Sequence, residues 1–180
     1  MRMPHRRLRA RPTSHHAGWF RAPLLSALLL SALLLSALAA TAQELPAPPV
    51  NAADALAAYD RFRASPEKNL QEAPTFLRFM QGGTVHTVLN NRLMFFMYRD
   101  VPPDVQAVLY ASYMGANLDS QLRSRRQGDD PLAGMAAVLE TYAALKQTHP
   151  DLVLEELESL RRDADARGLE SAVQTMADGR

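Results

Sequence analysis

The chain has no cysteine and a single tryptophan, Trp19, and past residue 42 it keeps only two of its five histidines. The missing cysteines exclude a disulfide framework, thiol catalysis, Cys-ligated zinc and a lipid-modified Cys anchor. Two histidines cannot form a multi-His metal site within one chain. There is also no Gly-x-Ser-x-Gly elbow, phosphate loop, His-Glu-x-x-His pair or calcium loop. No motif therefore calls for a cofactor or a metal. At 180 residues the chain has room for one ordinary domain. Its 20 basic and 19 acidic side chains give a net charge of +1, which by itself selects no partner.

That balance averages two unlike parts. Residues 1–23 carry six arginines and no acid; residues 24–40 are Leu and Ala with three serines and no charge; Ala40-Thr41-Ala42 follows. A basic n-region, an apolar h-region and small residues at −3 and −1 of a cut after Ala42 make a secretory signal over residues 1–42. An uncleaved anchor in the inner membrane is the alternative, since 17 apolar residues lie at the lower edge of a bilayer span. Ser26, Ser31 and Ser36 weaken that alternative. In both cases the remainder leaves the cytoplasm. The pattern suits a bacterial periplasmic or secreted protein.

Beyond residue 42 the chain keeps 14 of its 20 bases and all 19 acids, so the net charge there is −5. Nucleic acid is then a poor partner, because phosphate contact needs clustered positive charge. A membrane is a partner only if the signal segment stays attached. Residues 43–50, with Pro46, Pro48 and Pro49, read as an extended linker.

From Asn51 to the C-terminus the pattern predicts one all-α domain, a compact bundle of about six or seven helices. Asn51 can cap a helix over 52–64 with a modest stripe through Ala53, Leu56, Ala57, Tyr59 or Asp60, and Arg63. Ser65-Pro66-Glu67 reads as a new helix start. Pro74 opens a helix ended by Gly82-Gly83. Over 85–98 a helix is favoured by Val85, Val88, Leu89, Leu93 and Phe96, with a hairpin turning at Asn90-Asn91 as the alternative. Residues 105–125 form the central helix, apolar on several sides and therefore buried. In it Ala111 and Gly115, one turn apart, allow a close approach. Asp130 caps the next helix, with Pro131 at its first position and a stripe through Leu132, Met135, Ala136, Leu139, Tyr142 and Ala143. Pro150 begins another, with Val153, Leu157, Leu160 and Ala164 inward, ended by Gly168. A short helix over 169–177 closes the chain. The helix pairs after Pro103 have the spacing of helix-hairpin repeats, without the Trp-Leu-Gly-Tyr pattern of tetratricopeptide repeats.

The candidate site lies where polar residues interrupt the most apolar stretches. Tyr113, Asn117 and Gln121 recur every four residues on the central helix, and His86, Asn90 and Arg92 form a similar group before it. Buried amides and phenols need partners, since an unsatisfied one costs about 1–3 kcal/mol. These six residues either fix helix register or line a cleft for a small molecule or peptide. The expected function is a non-enzymatic exported domain that binds an as yet undefined protein or small-molecule partner. The alternatives are a small hydrolase-like enzyme centred on His86, or a membrane-anchored or lipid-binding helical protein.

Overall fold

A computed structural model describes residues 49–83 and 85–179. The expected signal segment over 1–42 and most of the expected linker over 43–50 lie outside the described residues. The described chain is all-helical, with no strand. Its helices are α1 (Ala52–Ala64), α2 (Ala73–Gln81), α3 (Pro103–Arg123), α4 (Pro131–Thr148), α5 (Glu155–Arg167) and α6 (Leu169–Asp178). Two 3₁₀ turns, Leu70–Glu72 and Phe95–Tyr98, complete the elements.

The helix ends follow local chemistry. The Asn51 side chain accepts the Asp54 N–H at 2.9 Å, which caps α1. Asp130 accepts the Ala133 N–H at 3.1 Å with Pro131 at the first position, which caps α4. Gly168 ends α5 at φ +87°, a conformation that disfavours side chains.

Helix α3 is the spine. It is buried from Val105 to Ser120 on nearly all sides, and Leu109, Tyr113, Asn117 and Leu118 are sealed. Helix α4 runs back along it: Ser112 Oγ meets Thr141 Oγ1 at 2.8 Å, and Ser120 Oγ meets Asp130 Oδ2 at 2.5 Å, so the residue numbers fall on one helix as they rise on the other. On another side α1 and α2 bring Tyr59, Phe62 and Phe76, whose ring centroids lie 5.6–6.3 Å apart. Helices α5 and α6 pair with each other and lie against α4.

Two tyrosines lie on glycines. A Cβ on Gly115 would meet the Tyr59 ring at 2.1 Å, and one on Gly134 would meet the Tyr113 ring at 2.6 Å. The space at Gly115 thus admits a ring from α1 instead of a bare helix backbone.

Four expectations are corrected. Residues 85–98 form no α-helix and no hairpin; only Phe95–Tyr98 wind into a 3₁₀ turn. Gln121 engages both backbone groups of His86, donating to its carbonyl at 2.8 Å and accepting from its N–H at 3.0 Å, which takes that stretch out of a helix. Leu93, Met94, Phe95 and Phe96 are all buried, and four consecutive inward side chains do not suit a one-sided helix. Ser65-Pro66-Glu67 starts no helix but turns, because Asn69 Nδ2 donates to the Arg61 carbonyl at 2.6 Å and folds the chain back on the end of α1. Pro150 likewise precedes an extended stretch, and α5 begins at Glu155. The Tyr142 hydroxyl accepts the Leu154 N–H at 3.0 Å and keeps the chain straight there, leaving Val153 exposed.

The fourth correction concerns register. The buried side of α4 is Gly134, Met135, Val138, Thr141, Tyr142 and Leu145, rotated from the expected stripe, and that of α1 is Ala55, Ala58, Tyr59 and Phe62. Both helices are rich in alanine. An alanine face carries too little transfer energy to orient a helix, so the large residues and the two tyrosine-on-glycine contacts set the rotation.

Candidate functional site

The six polar residues of the sequence pattern split into two structural groups. Tyr113 and Asn117 are sealed between α3 and α4, and Asn117 Oδ1 accepts the Asp130 N–H at 2.7 Å. Gln121, one turn on, reaches the His86 backbone. Asn90 Oδ1 accepts the Arg92 N–H at 2.9 Å and its amide donates to the Ala177 carbonyl at 3.5 Å. The Arg92 guanidinium covers Gly179. The His86 ring is exposed and has no hydrogen-bond or ion-pair partner among the described residues. Together these residues tie the 86–92 stretch to α3 and to the end of α6.

Beside this tie Thr87 Oγ1 and Asp129 Oδ1 are buried without a hydrogen-bond partner among the described residues, and the buried Tyr113 hydroxyl has only the Asn117 amide beside it. The Asp129 carboxylate faces the backbone N–H of Val88, next to Thr87, and it acts electrostatically on Tyr113. Burial pushes the Tyr113 phenol up, the Asp129 and Asp130 charges add to that, and the Asn117 amide opposes it. Asp129 is raised too, first by burial and then by Asp130, while the N–H groups of Val88 and Asp130 oppose the shift.

A raised folded-state pKa means that ionised Asp129 opposes folding. Its penalty is absent below the unfolded carboxylate range and grows as pH rises through the raised pKa. Asp129→Asn should therefore melt higher than the parent at pH 7, and the advantage should shrink as pH falls towards 4. Paired thermal melts over that range check this, and a difference that does not vary with pH would refute it.

A second concavity lies elsewhere among the described residues. Helices α1 and α4 both pack on α3, and no Cα of one lies within 8 Å of a Cα of the other. Between them runs a groove of about 720 Å³. Its floor includes Ser112, Ala116 and Ser120 of α3; Tyr59, Phe62 and Arg63 line the α1 side; Ala133, Ala136, Ala137, Glu140 and Ala144 line the α4 side. None of the six polar residues lines it. Burial pushes the Tyr59 phenol up to about 12; Arg63 opposes this, and Asp119, Glu140 and Asp60 reinforce it. One end is fastened by Glu67, which meets His149 Nε2 at 2.7 Å and accepts from the Thr148 hydroxyl at 2.9 Å. His149 and then Thr148 hold the Glu67 carboxyl below its usual range.

The sequence reading missed this groove because alanine carries no chemistry to notice. A trace exists in the pattern: Ala133, Ala136, Ala137, Glu140 and Ala144 recur at helical spacing on a face that offers no large side chain. Among the described residues no group of three His, Asp or Glu side chains is placed to hold a metal ion, and no helix is long and apolar enough to cross a membrane. Comparison with protein-family models, curated proteins and solved structures finds no match to this chain.

Proposed function

We propose that this chain is an exported, non-enzymatic binding domain and that it holds its partner in the groove between α1 and α4. The observation that carries the reading is the separation of these two helices over the α3 floor. Elsewhere in the domain, neighbouring elements meet through large buried side chains. Here the walls and floor present mainly alanine, serine and threonine around the edges of Tyr59 and Phe62. Small residues around an open concavity leave apolar surface that a guest with large side chains can cover. The export reading rests on the basic, apolar and small-residue order of residues 1–42.

The probe for the groove is 8-anilinonaphthalene-1-sulfonate, an anionic dye with a large aromatic body. It should bind the folded protein saturably, one dye per chain. Ala137→Trp, which fills the groove from α4, should weaken dye binding at least fivefold and leave the melting temperature within a few degrees. Dye binding that Ala137→Trp leaves unchanged would count against this site.

A further inference from the structure

We infer that the groove takes an amphipathic α-helix of a partner protein, acidic along one flank and basic along the other, lying between α1 and α4 as the missing neighbour of both. This rests on the groove reading above and specifies its occupant.

The shape favours a helix. From Ala133 to Gln147 the lining of α4 rises through fourteen residues, about 21 Å at 1.5 Å per residue, close to four turns. The trough is open along its α4 lip, where Glu140, Ala144 and Gln147 are exposed. A small molecule in so open a trough would keep one face in water, whereas small-molecule sites bury most of their ligand. An extended peptide would find no strand edge among the described residues to take its backbone hydrogen bonds. A helix satisfies its own backbone and needs only an apolar stripe to lay down. An alanine floor lets that helix come close and gives its large residues room to interdigitate.

The charges then define the flanks. Arg63 and Lys68 line the groove at the end of α1 and the turn after it, and Glu140 lines it on α4. None of the three makes an ion pair or a side-chain hydrogen bond among the described residues. The other lining acids are engaged: Asp119 pairs with Arg123 at 3.2 Å, and Glu67 is held by Thr148 and His149. One wall therefore offers free positive charge and the facing wall free negative charge. A helix complementary to both carries Asp or Glu towards Arg63 and Lys68, and Lys or Arg towards Glu140, with Leu, Met or Phe between them at i, i+3, i+4 and i+7. A helix with two like flanks meets a like charge on one wall whichever way it runs.

Three fluorescein-labelled 16-residue helical peptides with the same leucine stripe test this by anisotropy: one with Glu and Lys flanks, one with Lys on both and one with Glu on both. The mixed peptide should bind the parent protein tightest, by about fivefold over either other, the scale of a few exposed ion pairs. Arg63→Glu with Lys68→Glu should move first place to the peptide with two Lys flanks. Glu140→Lys should move it to the one with two Glu flanks. An order that stays the same in both variants overturns the inference. So does failure of every peptide to displace the dye from a groove that binds it, an outcome that leaves the groove reading intact. Absence of dye binding as well would sink both.

Discussion

Replacing Asp130 by Ala is expected to lower the unfolding free energy by about 3 kcal/mol. The side chain has two structural duties at the α3–α4 turn. Oδ1 accepts the Ala133 N–H and caps α4; Oδ2 accepts the Ser120 hydroxyl at 2.5 Å and pairs with Arg126 at 3.3 Å. Loss of a cap costs about 0.5–2 kcal/mol, and loss of a hydrogen bond to a charged group about 1.5–3 kcal/mol. The Arg126 pair adds little, because its guanidinium is exposed. The backbone N–H of Asp130 stays on Asn117, so the turn keeps its anchor. With a urea slope of about 1–3 kcal/mol/M, the midpoint should fall by roughly 1–3 M. Asp130→Asn keeps the capping oxygen and should lose less than half as much. If Asp130→Ala shifts the midpoint no more than Asp130→Asn does, the cap is not what this side chain contributes.

Gly115→Ala is expected to destabilise by about 2 kcal/mol although alanine is the better helix former. Away from contacts this change in mid-helix gains up to ~1 kcal/mol. Here the new Cβ would lie 2.1 Å from Tyr59 Cδ2. Tyr59 cannot swing aside freely, because its ring packs edge-on to Phe76 and beside Phe62. Overpacking a closed site costs about 1–3 kcal/mol and occasionally more. The melting temperature should fall by roughly 8 °C for a domain of this size. The contact is isolated by repeating the change in a Tyr59→Ala background. There the clash is gone and Gly115→Ala should stabilise. A loss of the same size in both backgrounds would place the strain somewhere other than the Tyr59 ring.

Both predictions turn on features that the sequence shows unequally. Asp130 followed by Pro131 is a local signal, because a cap accepts from a backbone group three residues on, and Asn51 before α1 is another of the same kind. The burial of α3 was legible for a related reason: apolar residues on several sides of one helix leave it no stable place at the surface. The regions that misled were those whose partners are far along the chain. Nothing within residues 85–98 reveals that Gln121 will take both backbone groups of His86, and nothing near Pro150 reveals the Tyr142 hydroxyl waiting for Leu154. In each case a side chain from another element supplies the hydrogen bonds that a helix would otherwise have made within itself.

The six polar residues show the same division. Their spacing marked Tyr113, Asn117 and Gln121 as one line, and the structure keeps that line but gives its members different tasks: a ring on Gly134, an amide on Asp130 and an amide on His86. The groove was out of reach of such reasoning, since it is made by what α1 and α4 leave between them.

The sequence alone determined the all-helical class, the capped starts of α1 and α4, the burial of α3 and the mildly acidic balance after residue 42, because propensity, capping, periodicity and charge are local or additive. Tertiary structure alone decided the rotation of the alanine-rich helices, the non-helical stretches at 86–90 and 152–154 and the open groove. Those depend on how much volume distant side chains occupy and which backbone groups they satisfy, quantities that exist only once the helices are packed.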